Sequence, residues 1–128
     1  MLHDLLADAL AAMRNAEKRG KSEVVVKFSN IIIEVFNILK KEKYLVDFEV
    51  VKDKRGNSIN VKLSGAINNV GVIKPRFSVK IDNFEKFEKR YLPAKDFGFV
   101  LVSTSKGIMT HNEAKTKKLG GVLLAYVY

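Results

Sequence analysis

Residues 97–107 have the sequence FGFVLVSTSKG, in which two chemically different halves meet. The first half, Phe97–Val102, is apolar except for Gly98, which is typical of a strand buried on both faces. The second half, Ser103–Gly107, contains three hydroxyl residues, a lysine and a glycine. Hydroxyls donate and accept hydrogen bonds, lysine supplies a mobile positive charge, and glycine lets a backbone approach closely. The stretch therefore predicts a buried strand that delivers a compact polar loop suited to phosphates, sugar hydroxyls and base edges.

The chain beyond this loop predicts a short helix and a last strand. Residues 108–114 are expected to form a loop that opens a helix, and Gly120-Gly121 to interrupt that helix after Lys118. Val122–Tyr128 is apolar and aromatic enough for a final strand. We expect His111 to be a surface residue beside the loop.

The first half of the chain predicts a helix, a strand, a second helix and a hairpin, in that order. The helices show apolar residues at helical spacing up to Gly20 and again after Ser29. The hairpin strands alternate apolar and polar residues, with Val46, Phe48 and Val50 on the first and Ile59, Val61 and Leu63 on the second. Their basic tip is equally compatible with a solvated turn and with a phosphate contact.

The glycine- and asparagine-bearing segment from Ser64 to Gly71 predicts a boundary between two parts. After it, alternation from Phe77 to Ile81 predicts a strand, and a short helix follows until Pro93. We therefore expect an α+β protein of two small domains: residues 1–66, with helix-strand-helix-strand-strand order, and residues 67–128, mostly β with short helices.

The charge balance points to an anionic partner. The 128 residues include 23 Lys and Arg against 14 Asp and Glu, which gives a net charge of +9. An excess of this size suits nucleic acid or an acidic membrane surface, although solubility alone is the alternative reason for many lysines. Cysteine is absent, which excludes disulfides. No stretch is long and apolar enough for a membrane span, and the start, Met1–Asp4, predicts no signal peptide.

Catalytic patterns are weak in this sequence. Ser103 and Lys106 formally match Ser-x-x-Lys, but that motif belongs at the start of a helix, and its companion motifs are missing. The loop lacks the glycine spacing of a phosphate-binding Walker motif. The two histidines, His3 and His111, show no ligand or triad spacing, so we expect no enzyme, metal or cofactor.

RNA is a better candidate partner than DNA. RNA is recognised through hydroxyl and amide hydrogen bonds to sugars and exposed base edges over a basic surface. Short Ser and Thr side chains would let the strand end approach such a ligand, and Lys106 would hold a phosphate. Readers of duplex DNA usually present a recognition helix with outward Arg, Asn or Gln, which neither helix of the first half shows.

Several motifs together resemble the bacterial-type family of ribosomal protein eight of the small subunit. The resemblance covers essentially the whole chain in the right order, and its matching segments are residues 102–110, Glu113-Ala114, Gly120-Gly121, Met13-Arg14-Asn15-Ala16, Glu42-Lys43-Tyr44-Leu45 and Lys74-Pro75-Arg76. The loop signature is fairly specific, whereas the helical matches alone would be weak.

This resemblance implies a two-domain α+β protein that binds directly to the central domain of the small-subunit rRNA. It also implies a role in assembly of the subunit platform. Carried over by position, the RNA-binding residues are Ser103, Thr104, Ser105, Lys106 and Gly107 in the loop, Glu113 behind it, and Arg14, Asn15, Lys52, Lys54, Arg55, Lys74 and Arg76 elsewhere. It also implies neighbouring small-subunit proteins as partners, for some members their own mRNA, and a free monomer. The expected location is the small ribosomal subunit in a bacterial cytoplasm, with an organelle ribosome as the alternative.

The chain departs from the family pattern at positions near the expected contacts. Leu5 and Ala12 stand where a proline and a basic residue are usual, so the first helix should make fewer contacts. Val122 and His111 replace usual acids, which makes the surface near the loop more positive. Two other functions remain as alternatives: a non-specific RNA binder or RNA chaperone, and a small hydrolase that uses a Ser/Lys pair.

Overall fold

The computed structural model describes residues 5–54, 56–73, 78–93 and 98–128. The chain divides into two compact units, Met1–Val70 and Gly71–Tyr128. Each unit contains both helices and an antiparallel sheet, so the predicted α+β class is confirmed.

The first unit has the predicted order of helix, strand, helix, strand and strand. Its elements are α1 (Leu5–Lys18), β1 (Glu23–Lys27), α2 (Asn30–Lys41), β2 (Leu45–Val51) and β3 (Ser58–Leu63). The strands form an antiparallel sheet in the order β1-β3-β2. The central strand β3 buries Ile59, Val61 and Leu63, which confirms the predicted apolar alternation of that strand.

Both helices bury the stripe that their apolar spacing predicts. In α1 this stripe consists of Leu6, Ala9, Leu10, Met13 and Ala16, and in α2 of Ile32, Val35, Phe36 and Leu39. Residues three and four positions apart lie on one face of a helix, so each stripe forms a continuous packing surface. Ile31 and Ile38 flank the α2 stripe and are half-buried.

A bulge in β2 overturns the prediction for Val46, whose side chain is 57% exposed. Leu45 pairs with Leu63 and Asp47 pairs with Lys62, so Val46 is an extra residue in the ladder. A bulge of this kind shifts the alternation of side chains by one position. Leu45 therefore takes the buried place that the sequence pattern gave to Val46.

The second unit is a sheet with short helices. Its elements are β4 (Val70–Val72), β5 (Ser78–Val79), a 3₁₀ turn (Ile81–Asn83), α3 (Phe84–Tyr91), β6 (Phe99–Thr104), β7 (Gly107–Thr110), α4 (His111–Thr116) and β8 (Gly121–Val127). The strand order is β4-β8-β6-β7, and β5 also pairs with β8. The strand predicted to reach Ile81 ends at Val79, because the chain turns into the 3₁₀ segment there.

Strand β6 is the core of this unit. All four residues from Phe99 to Val102 are at most 4% exposed. Val100 and Val102 pack in one apolar cluster with Phe84 and Leu123, whereas Phe99 and Leu101 alternate with them and point to the opposite face. The prediction of a strand buried on both faces is therefore confirmed.

Candidate nucleic-acid interface

The polar residues after the buried strand form a tight hairpin rather than a loop of five residues. Ser103 pairs with Ile108, and Thr104 pairs with Gly107, so only Ser105 and Lys106 lie outside the strands. The sequence expectation that residues 108–110 form a loop is also wrong, because they belong to β7. The pairing continues across these residues because Met109 is buried against the core.

The hydroxyl of Thr104 holds the turn in shape. Its Oγ1 accepts a hydrogen bond of 3.1 Å from the amide of Lys106 and donates one of 2.9 Å to the carbonyl oxygen of Gly107. Gly107 has a φ of +114°, a conformation that side chains rarely allow. Because the hydroxyl of Thr104 is bonded within the turn, the side chains that the turn presents outward are those of the exposed Ser105 and Lys106.

Gly120 and Gly121 place the start of β8 close against two neighbouring strands. A Cβ atom at Gly120 would lie 2.6 Å from the carbonyl oxygen of Val79 in β5. A Cβ atom at Gly121 would overlap the carbonyl oxygen of Ser103 in β6. The pair therefore permits the close approach of three strands at the end of the sheet that carries the turn.

One row of side chains crosses the sheet beside the turn. Ser78 and Ser103 both lie opposite Val122, and Ser103 also lies opposite Ile108. Residues opposite each other in a ladder share a face, so the hydroxyls of Ser78 and Ser103 point the same way, about 10 Å apart. Only the strand register identifies Ser78, because nothing in its local sequence distinguishes it.

Helix α4 begins immediately after β7. Thr110 caps it, because its Oγ1 accepts a hydrogen bond of 3.2 Å from the amide of Glu113. The carboxylate of Glu113 pairs with Lys117 on the next turn, 3.1 Å away. The contacts of Glu113 in the described residues thus lie along its own helix.

The helix ends at Thr116, earlier than the sequence predicts. Lys118 adopts a left-handed conformation with a φ of 57°, and the amide of Leu119 returns to the carbonyl oxygen of Ala114 at 2.9 Å. This is the hydrogen bonding of a helix C-cap, so Lys118 takes the position where glycine is usual. The side chain of Lys118 is exposed.

His111 is buried, which contradicts its predicted position on the surface. Its side chain is 4% exposed, and Nε2 lies 3.1 Å from Oε1 of Glu88 in α3. The same carboxylate also pairs with the ammonium of Lys115 in α4. His111 is the first residue of α4, which follows β7 directly and packs against β6.

The RNA-binding residues predicted for the first unit lie on two different elements. Arg14 is half-buried and Asn15 exposed on α1, about 100° apart around the helix. Lys52 and Lys54 are exposed in the connection between β2 and β3. Arg55, Lys74 and Arg76 lie outside the described residues.

The described residues give no support to a metal site. They contain no group of three His, Cys, Asp or Glu side chains placed to hold an ion. Within the same residues, no helix is long and apolar enough to cross a membrane. The exposed residues of the turn itself, Ser105 and Lys106, offer a hydroxyl and an ammonium group.

Comparison with known proteins identifies the family. The family model described as Ribosomal protein S8 matches residues 4–128. The protein named small ribosomal subunit protein uS8 from Picrophilus torridus is 47% identical over 129 residues, which cover 100% of both chains. A family match over nearly the whole length, together with this identity, shows that the chain belongs to the ribosomal protein S8 family.

Proposed function

We propose that this protein is a structural constituent of the small ribosomal subunit in the cytoplasmic ribosome. In this proposal the protein binds directly to the central domain of the small-subunit rRNA and supports assembly of the subunit platform. Family membership and the name of the relative from Picrophilus torridus support the ribosomal role. The proposed domains are residues 1–66 and residues 67–128, with the principal RNA contact in the second.

The observation that carries the RNA-binding proposal is the hairpin turn at the end of β6. Ser105 and Lys106 are exposed, while the strand behind them is buried on both faces and Thr104 fixes the turn. A group that is already held in its binding geometry loses little conformational entropy when a ligand binds. A rigid, hydroxyl-rich turn therefore suits a ligand of fixed shape better than a flexible basic loop would.

Each residue of the turn has a distinct proposed part. The hydroxyl of Ser105 would exchange hydrogen bonds with sugar hydroxyls or base edges, and the ammonium of Lys106 would contact phosphate. Gly107 leaves room for the RNA backbone to approach. Ser103 and Ser78 would add hydroxyls along the adjacent face, where the wide, shallow minor groove of an RNA helix displays its 2′-hydroxyls.

The remaining predicted contacts belong to the same proposal. Arg14, Asn15, Lys52 and Lys54 would contribute contacts from the first unit, and Glu113 would act indirectly through the position of α4. Neighbouring small-subunit proteins and the protein's own mRNA are the further partners proposed. The alternative of a hydrolase lacks its required geometry, because Ser103 lies in a strand and Lys106 in a turn rather than one helical turn apart.

Binding to fragments of small-subunit rRNA tests this function. We expect the native chain to prefer one central-domain fragment over a mismatched control duplex by about two orders of magnitude or more at physiological salt. Ser105→Ala should reduce that preference by about tenfold, whereas Ser22→Ala, at an exposed bend of the first unit, should keep it. Equal binding of all RNAs by native and Ser105→Ala proteins would instead identify a non-specific RNA binder.

A further inference from the structure

Strand β1 is an edge of the first sheet, and its protection consists of short length and the charged side chains of Glu23 and Lys27. It pairs with β3 on one side, and no other described strand pairs with its opposite side. Its five residues, Glu23–Lys27, pair with β3 without a bulge and contain no proline. The other edge, β2, carries the bulge at Val46, which is a common means of blocking strand addition.

The hydrogen-bond register shows which groups β1 presents outward. The carbonyl oxygen of Ser22 accepts from the amide of Leu63 at 2.8 Å, and the amide of Phe28 donates to the carbonyl oxygen of Asn57 at 3.1 Å. In an antiparallel ladder the direction of these groups alternates along the strand. Val24 and Val26 therefore bond to β3, whereas residues 23, 25 and 27 direct their amides and carbonyl oxygens away from the sheet.

Two adjoining depressions run between this edge and α1. Their volumes are about 180 Å³ and 290 Å³, and Ala12 lines both. The first also contacts Ala9 and Val26, and the second Ala16 and Val24. The apolar part of the walls thus includes alanines of the helix and valines of the strand, and polar and charged side chains complete the lining.

The chemistry of this groove favours a polypeptide over RNA. The charged residues of the first depression, Asp8 and Lys27, cancel, and those of the second, Arg19, Lys21 and Glu23, leave a single positive charge. A surface that tracks a nucleic-acid backbone is strongly positive. Alternating amides and carbonyl oxygens are instead satisfied by the backbone of another strand.

We propose that the outer edge of β1 receives an extended segment of another protein as a fourth strand. Residues of that segment opposite Val24 and Val26 would place apolar side chains in the two depressions. Residues opposite Glu23 and Lys27 would be basic and acidic, respectively, because opposite charges across a ladder are stabilising. Val25, which is 65% exposed and is the most exposed of the large apolar side chains described, would be partly covered by the added strand.

This proposal does not depend on the RNA-binding role of the turn. Among the proposed RNA contacts of the first unit, it shares only Asn15, which lines the second depression. A test therefore has to compare how a peptide and an RNA fragment each change the hydrogen exchange of the β1 amides.

A peptide with the sequence of residues 21–28 is a suitable probe, because in antiparallel pairing its own Lys and Glu lie opposite Glu23 and Lys27. Added to the full chain at up to about 1 mM, it should slow amide exchange at Glu23, Val25 and Lys27 by about tenfold or more, and leave Val24 and Val26 little changed. Amide-resolved NMR measures this alternation.

A matched pair of variants tests whether the peptide binds in this groove. Ala12→Gln should weaken peptide binding at least about fivefold by filling both depressions, whereas Ala11→Gln, on the same helix but outside them, should not. Absence of peptide binding, equal effects on all five amides of β1, or unchanged binding by Ala12→Gln would overturn the proposal. Protection of the same amides by the rRNA fragment instead of the peptide would assign the groove to RNA.

Discussion

The imidazole of His111 accepts a hydrogen bond through Nδ1 from the backbone amide of Val100, 3.0 Å away. Because Nδ1 acts as the acceptor, the neutral ring carries its proton on Nε2, which faces the carboxylate of Glu88 at 3.1 Å. One buried side chain thus connects the central strand β6 with α3 and with the start of α4. The turn that carries Ser105 and Lys106 extends from this same strand.

Replacing His111 should destabilise the second unit. His111→Ala leaves the amide of Val100 buried without its acceptor and removes one partner of Glu88, so we expect a loss of about 2–4 kcal/mol in the free energy of unfolding. Urea denaturation measures it. Asn112→Ala, at the exposed neighbouring position, should change the free energy by less than about 0.5 kcal/mol. Equal effects of the two variants would contradict the role assigned to His111.

Gly121→Ala should be more harmful than an alanine at another glycine of the same sheet. The added methyl group would overlap the carbonyl oxygen of Ser103 and approach Cγ1 of Val102 to 2.9 Å, and backbone cannot yield easily. We expect a loss of about 1–3 kcal/mol in thermal or urea unfolding. Gly71→Ala is the control, because the nearest atoms to its methyl group are side-chain rather than backbone atoms, namely those of Tyr126 from 2.9 Å. A larger effect at Gly71 would refute this account of the paired glycines.

Lys43→Gly should stabilise the protein. Lys43 has a φ of 67° just after α2, where the amide of Tyr44 bonds to the carbonyl oxygen of Leu39 at 2.8 Å. Side chains are disfavoured in this left-handed conformation, so glycine should gain about 0.5–1 kcal/mol in the free energy of unfolding. Lys41→Gly, within the last turn of α2, should lose up to about 1 kcal/mol. A loss of stability in Lys43→Gly would show that the lysine side chain stabilises this end of α2.

Asp47 should contribute stability at neutral pH that is lost in acid. A hydrogen bond of 2.9 Å from Lys40, then one from the amide of Phe48, and the charge of Lys40 lower the pKa of Asp47 from its ordinary value of 3.8. The carboxyl group of Asp47 therefore binds its proton less tightly in the folded state than in the unfolded state. The stabilisation disappears as the pH falls below 3.8 through the lowered pKa of Asp47.

The corresponding variant is Asp47→Asn. Its urea midpoint should lie below that of the native chain at pH 7 in low salt, and the two should converge in acid and in high salt. The difference should be small, because the side chains of Lys40 and Asp47 are 49% and 50% exposed. Glu49→Gln, on the same strand, serves as the control. A difference that persists unchanged in acid would exclude an electrostatic origin.

The sequence predicts those parts of the fold that depend on periodic burial. The order of elements in the first unit and the burial of Phe99–Val102 on both faces follow from apolar spacing alone. Val46 escapes such reasoning, because a bulge changes which residues face the core without changing the local composition. Ser78 escapes it as well, since its place beside Ser103 depends on the pairing of β5 and β6 with the same strand.

The candidate site is predictable in its residues but not in its shape. The sequence identifies Ser103–Gly107 as a polar segment after a buried strand, yet hydroxyl-rich segments occur in loops and in hairpins alike. The pairing of Thr104 with Gly107 reduces the turn to Ser105 and Lys106. The burial of His111 cannot be predicted from the sequence for a similar reason. It depends on hydrogen bonds with Val100 and Glu88 that no local pattern encodes.

In the proposed function, the turn presents one residue that discriminates among RNAs, Ser105, and one that supplies affinity for any RNA, Lys106. The most direct measurement compares the salt dependence of binding for the native chain, Ser105→Ala and Lys106→Met, on the preferred rRNA fragment and on a mismatched duplex. Ser105→Ala should weaken binding to the preferred fragment by about tenfold and leave the salt slope unchanged. Lys106→Met should weaken binding to both RNAs alike and reduce the slope by about 1. If instead both variants lower the affinity for the two RNAs equally, or neither changes it, the turn is not the element that recognises the RNA.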